Sequence, residues 1–316
     1  MSWILLIVGL TILTMGATWL TNGSSAIAKR MNISEYVIGM TIVAVGTSLP
    51  ELTVSTTSAL AGNADIAIGN VVGSNIFNIF AVLGVCSVIS AVPISRGNVR
   101  YDIPISIGVA LLLAFMLLDG GLSRIEGVIL FALFIVVMII SYRLGKKEAT
   151  SETKTEDEAP MAWWKSILMI VVGTAGLIYG AGLMLDSSIA IARSLGVSEA
   201  VIAITIVAGG TSLPELAASL VAAFKGHSAL ALGNVVGSCV ANILLILGLC
   251  SAITPLSLGG VTMTDVWVMV ASSVALFLAA IAIGNRVITR IEGVAFLAIY
   301  VIYIVYLVKT GSIAGA

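Results

Sequence analysis

The chain has 316 residues, 59% of them apolar and 10% charged, with 15 basic against 16 acidic side chains and a net charge of −1. A soluble domain carries about a quarter charged residues, so this composition and a mean hydropathy of +1.15 exclude a soluble protein and point to one embedded in a lipid bilayer. The near-neutral balance offers no basic excess for nucleic acid.

Uncharged runs of about 18 residues or more are long enough to cross a bilayer as helices, and they follow one another along the chain. Taken in order they lie near 2–28, 36–61, 66–92, 103–118, 126–143, 162–192, 200–224, 229–253, 263–284 and 292–310. That predicts an all-α integral membrane protein with ten transmembrane helices. The first run lacks the basic flank and small-residue cleavage site of a signal peptide and reads as a retained span. Trp3, Trp163 and Trp164 fall near span ends, where an amphipathic ring suits the membrane interface.

In the second span GTSLPE occupies residues 46–51, and the same six letters return at 210–215 in the seventh. Pro50 cannot donate to the carbonyl of Gly46, and Gly46 loosens the backbone, which predicts a helix break near residues 44–48. Lipid supplies no hydrogen bonds, so freed carbonyls are tolerated only where they face protein or a water-filled cavity. Thr47 and Ser48 stand four and three residues before Glu51, which puts two hydroxyls and a carboxylate on one helix face. Thr211, Ser212 and Glu215 repeat the arrangement. In the third span GNVVGSNIFN sets Ser74 and Asn78 four apart, and GNVVGSCVAN in the eighth does the same for Ser238 and Asn242. Hydroxyl, amide and carboxylate oxygens with no cluster of sulfur or imidazole suit sodium and calcium rather than zinc, copper or iron. Glutamate at bilayer depth costs on the order of 3 kcal/mol. With no intramembrane Lys or Arg beside Glu51 and Glu215, the expected counter-charge is a bound cation, the alternative being protonated or hydrogen-bonded structural carboxylates at a helix break.

The smaller polar features carry less. His227 is the single histidine and reads as a solvated loop residue beside Lys225. Cys86, Cys239 and Cys250 lie in apolar runs and read as buried packing residues. Asn22 and Asp186 read as helix–helix hydrogen-bonding positions. Asp65, Glu35 and Glu199 read as helix-start residues. The 146–160 segment, KKEATSETKTEDEAP, reads as a solvated linker without the ligand spacing of a calcium-binding loop.

The halves align at a fixed offset of 164 residues through Glu35/Glu199, both GTSLPE copies, both GNVVGS copies and Asn78/Asn242. Arg124–Gly127 meets Arg290–Gly293 at offset 166. The chain is an internal duplication, with one five-helix repeat in 1–145, a linker in 146–161 and a second repeat in 162–316. Five spans per copy force the second to enter the membrane in the opposite sense, giving inverted repeats. With the N-terminus outside, 12 of the 15 basic residues fall on the inner side and only Arg124, Arg193 and Lys309 on the outer. The positive-inside rule then sets both termini outside and the linker in the cytoplasm.

The paired motifs GTSLPE with GNVVGSNIFN, and GTSLPE with GNVVGSCVAN, resemble the two alpha repeats of sodium/calcium exchangers in the calcium:cation antiporter superfamily. The resemblance covers the whole ten-span plan and implies that helices 2, 3, 7 and 8 are broken around a central diamond of ion sites, with helices 1 and 6 sliding across that core. It implies that Glu51 and Glu215 bind calcium and sodium, that Thr47, Ser48, Ser74, Thr211, Ser212 and Ser238 supply oxygens, and that the carbonyls of Ala44 and Ala208 complete sodium sites. Asn78 matches the family's central asparagine, whereas Asn242 stands where some members carry aspartate. Potassium-dependent members tend to have that aspartate, so Asn242 implies independence of potassium. Both copies read Gly-Asn-Val-Val, without the further acid of the proton/calcium branch.

The expected function is therefore a plasma-membrane antiporter, not an enzyme, exchanging sodium for calcium by alternating access; if three sodium ions exchange for one calcium, it is electrogenic. It calls for no cofactor and no obligate protein partner. Proton/calcium exchange and potassium-dependent exchange stay open as alternatives, with a passive cation channel more remote. An intramembrane hydrolase lacks a base or second acid beside either glutamate.

Overall fold

A computed structural model describes residues 2–149, 161–196, 209–282 and 286–310. The helices are α1 (Ser2–Met31), α2 (Glu35–Thr47), α3 (Leu49–Leu60), α4 (Ala64–Ile89), α5 (Asn98–Asp119), α6 (Arg124–Ala149), α7 (Trp163–Ser194), α8 (Leu213–Phe224), α9 (Ser228–Ile253), α10 (Met263–Ala282) and α11 (Arg290–Thr310). Among the described residues eight helices are long and apolar enough to span, and α2 with α3 forms a ninth span bent by 45°. The tenth is represented by α8; the start of that predicted span, with Ser198, Glu199 and Ala208, lies outside the described residues.

Burial separates a core from a lipid-facing shell. Every residue of Ser228–Ala241 except Ala229 is buried, so this stretch of α9 has no lipid face. By contrast Phe115, Ile125, Ile291 and Ile302 stand exposed on α5, α6 and α11, as apolar side chains in contact with lipid do. Without a hydrophobic drive between helices in lipid, close backbone packing holds spans together. Gly9, Gly16 and Gly23 of α1 recur every seven residues and meet Gly180, Gly173 and Ser166 of α7 in reverse order, which makes the pair antiparallel. A Cβ on Gly16 would lie 2.6 Å from the Leu177 nitrogen, and one on Gly173 2.6 Å from the Leu20 nitrogen.

The sequence reading assigned residues 66–92 and 103–118 to spans, and the structure redraws both ends. α4 stops at Ile89, and Val92–Pro93 forms a strand, β1. α5 begins five residues early, because Asn98 and Ser95 cap each other: the Ser95 N–H donates to Asn98 Oδ1 and the Asn98 N–H to Ser95 Oγ, both at 3.0 Å. Three further strands are β2 (Gly121–Leu122), β3 (Leu256–Ser257) and β4 (Val287–Ile288). β1 pairs antiparallel with β4, and β2 with β3. The duplication maps β1 onto β3 and β2 onto β4, so the two ribbons are symmetry mates, one beyond each end of the helical core.

Candidate functional site

The two GTSLPE copies fold alike. Ser48 and Ser212 leave the helix with nearly the same backbone angles, φ −83°, ψ 9° and φ −89°, ψ 9°. α2 stays helical through Thr47, so the break falls at Ser48, the last residue of the predicted 44–48 stretch. Pro50 and Pro214 then sit in the first turn of α3 and α8, where a missing N–H goes unused and a fixed φ favours helix initiation. Glu51 and Glu215 occupy the same first turns, against helix N-termini whose free N–H groups carry partial positive charge.

Spacing alone groups each glutamate with the hydroxyls of its own repeat, but the hydrogen bonds cross between repeats. Ser48 Oγ donates to Glu215 Oε1 and Ser212 Oγ to Glu51 Oε1, each at 2.9 Å. Thr47 Oγ1 donates to Asn234 Oδ1 at 3.1 Å, and Thr211 Oγ1 to Asn70 Oδ1 at 3.3 Å. Asn70 Nδ2 in turn reaches Ser55 Oγ at 3.0 Å, and Asn234 Nδ2 reaches Ser219 Oγ at 2.9 Å. Ser212 Oγ also meets Ser74 Oγ at 3.1 Å.

Asn78 and Asn242 lie one turn beyond Ser74 and Ser238, on the same helix faces. Each opens a π segment, Asn78–Val82 and Asn242–Leu247, so the third and eighth spans are interrupted by a widened turn, a form common at functional positions. α2 carries another at Gly39–Val43. Glu51, Glu215, Asn78 and Asn242 are all 0% exposed. Among the described residues, Glu51 Oε2, Glu215 Oε2, Asn78 Oδ1, Asn242 Oδ1 and Ser238 Oγ are buried oxygens with no hydrogen-bond partner. Each such orphan costs about 1–3 kcal/mol, and five oxygens from three residue types can repay that cost together by coordinating a hard cation. Among the described residues no three His, Cys, Asp or Glu side chains cluster, as expected where only two charged ligands are joined by amides and hydroxyls.

The predicted residues divide as follows. Ser48 pairs with Glu215, and Glu51, Ser212 and Ser74 form a second hydrogen-bonded set. Thr47 and Thr211 stand behind it, bonded to asparagine amides. The Ala44 carbonyl accepts from the Ser48 N–H at 3.0 Å and from Thr47 Oγ1 at 3.3 Å, so in this structure it is part of the helix ladder. Asn70, Asn234, Ser55 and Ser219 were not singled out from sequence. Their signal was available, since each pair is identical at offset 164 inside an apolar run.

Away from this centre, His227 is not a solvated loop residue: its Nδ1 lies 2.9 Å from Glu35 Oε1, with both side chains about one quarter exposed. Glu35, besides starting α2, accepts a hydrogen bond from Ser25 of α1. Asn22 accepts from Lys225 Nζ at 2.7 Å, a loop-to-helix bond where a helix-to-helix one was expected, and Asp186 is exposed. Arg30 donates to the Met161 carbonyl at 2.9 Å and lies over the Trp163 ring.

The family described as sodium/calcium exchanger protein matches residues 1–143 and 165–309. The chain is 37% identical over 305 residues to the putative antiporter CaxA of Alkalimonas amylolytica, covering 94% of this chain and 96% of that protein. It is 32% identical to the sodium/calcium exchanger MaX1 of Methanosarcina acetivorans, over 95% and 96% of the two chains. Among solved structures, the sodium-calcium exchanger NCX_Mj superposes with a TM-score of 0.84 at 34% identity, covering 97% of this chain and 98% of that one.

Proposed function

The chain belongs to the sodium/calcium exchanger family, and from that premise we propose how its site works as a sodium/calcium antiporter. The observation that carries the reading is the crossed pair of Ser–Glu hydrogen bonds with one orphan carboxylate oxygen on each side. One set of ligands is shared by both repeats, so neither half binds an ion alone, and a shift of one repeat against the other alters the site for every ion at once. That is the requirement of alternating access.

The charge count sets the exchange. Two carboxylates give −2, which one calcium neutralises, while three sodium ions leave +1. Exchange at three to one is therefore electrogenic. Asn242 adds no third negative charge, which supports independence of potassium. The protein is read as a plasma-membrane transporter with both termini outside, supported by the 12 of 15 basic residues that then face the cytoplasm. Glu51, Glu215, Asn78, Asn242, Ser48, Ser74, Ser212 and Ser238 are the proposed ion ligands, Thr47 and Thr211 hold the asparagines behind them, and the carbonyls of Ala44 and Ala208 are the proposed backbone contribution to sodium.

Proteoliposomes loaded with sodium should take up radiolabelled calcium when sodium is diluted outside, and Glu51→Gln or Glu215→Gln should abolish uptake. External potassium should leave the rate unchanged, and clamping the membrane potential with an ionophore should change it. Uptake driven equally well by a pH gradient without sodium would replace this reading with proton exchange. Flux that fails to saturate with calcium would replace it with a channel.

A further inference from the structure

Asn242 raises a problem that an aspartate there would not. An amide has one oxygen and one nitrogen end, and only the oxygen can face a cation. The amide alone does not fix which way round it sits. Asn75, which has no role in the site as derived so far, is buried at 2% exposure and reaches it. Asn75 Nδ2 donates to the backbone carbonyl of Cys239 at 3.2 Å, and Asn242 Nδ2 donates to Asn75 Oδ1 at 3.0 Å.

The direction of this chain of bonds is forced from one end. A backbone carbonyl can only accept, so Asn75 must turn its nitrogen to Cys239 and its oxygen to Asn242. An oxygen there can only accept, so Asn242 must offer its nitrogen. Asn242 Oδ1 is then left as the unpartnered buried oxygen, one turn from Ser238 Oγ, which is also unpartnered.

The duplication supplies an internal control. Asn75 corresponds to Cys239 and Asn242 to Asn78 at offset 164. Were the repeats identical, residue 239 would hold the Asn78 amide as Asn75 holds that of Asn242. Cys239 instead directs its thiol at the Asn75 carbonyl, 3.8 Å away, and both amide atoms of Asn78 are without partners. The relay exists on one side only, at Asn242.

We propose that Asn75 is a positioning residue for cation binding: by relaying the polarity of the Cys239 carbonyl, it holds the Asn242 amide oxygen-first toward the ion. The proposal rests on the antiport reading of the site, but binding and exchange can be measured separately. Asn75 touches no ion itself. Its effect should appear in affinity and vanish once residue 242 has no nitrogen end to misplace.

Calcium binding to the purified full chain is measured by calorimetry, and sodium-driven calcium uptake in proteoliposomes, for the wild type, N75A, N75L, N242D, N75A/N242D and N75L/N242D. Losing one orienting hydrogen bond should weaken calcium binding about tenfold in N75A, with the maximal uptake rate within about twofold of wild type. N75L fills about the same volume with no hydrogen-bonding group and should lose affinity to the same extent as N75A. In the N242D background, N75A should change affinity less than about twofold, because a carboxylate has the same atom at both ends. An equal loss from N75A in both backgrounds, or none in either, overturns the proposal. Should N75A not fold, N75L in the same two backgrounds decides by the same criterion. A wild type that binds calcium without sodium-driven uptake would sink the antiport reading while leaving the relay testable by calorimetry; a wild type that binds no calcium sinks both.

Discussion

Ser48 and Ser212 show how a residue can be found in sequence while its partner is not. The spacing in GTSLPE puts each serine near its own glutamate, yet each donates to the glutamate of the other repeat. Spacing reports which side chains share a helix face, but contact across an inverted duplication depends on how two helices 164 residues apart in sequence meet, and no local pattern encodes that. His227 was misread for the same reason, since Glu35 lies 192 residues away. Thr47, Ser48, Glu51 and their counterparts were legible because burying a polar residue in lipid has so few explanations. Ser48→Ala and Ser212→Ala should each weaken calcium activation of uptake by roughly tenfold, the value of one hydrogen bond to a charged group being about 1.5 kcal/mol or more. Their effects should be of similar size, because the two bonds are symmetry equivalents. Initial rates against calcium concentration test both points.

At the level of the element, glycine spacing decides which helices touch. α1 and α7 approach at Gly16 and Gly173 so closely that any Cβ on Gly173 would fall 2.6 Å from the Leu20 nitrogen. Gly173→Leu should therefore push the two helices apart, lower the midpoint of thermal unfolding in detergent by several degrees and slow exchange; Gly108→Leu on α5, where a Cβ would meet nothing within 4 Å, should change neither. The spans themselves were legible from run length, because helices that cross lipid must be long and apolar. The strands were not. Two residues give no alternation to read, and of β1 only Val92 falls in the predicted third span. The early start of α5 was missed because Asn98 and Ser95 look like loop residues until their mutual cap is formed.

For the molecule as a whole, the duplication was legible in full, since an offset of 164 needs only the letters, and five spans per copy fix the inversion by parity. The orientation proposed from the basic residues has a direct test. Arg96 and Asp119 are exposed beyond opposite ends of the helical core, and all three native cysteines are buried. In intact cells a membrane-impermeant maleimide should label Asp119→Cys at once and Arg96→Cys only after the membrane is opened. The reverse pattern would invert the assignment.

The two short ribbons bear on the history of such a chain. Among the described residues every strand pairs with one from the other half, β1 with β4 and β2 with β3, so a lone half would carry two unsatisfied edges, one at each end. A second copy of that half, threaded the other way up, would satisfy both. The fused polypeptide thus has the bonding plan of an upside-down homodimer, and its linker chooses a partner more than it holds one. Residues 1–145 and 162–316 expressed as separate chains should find each other and co-purify.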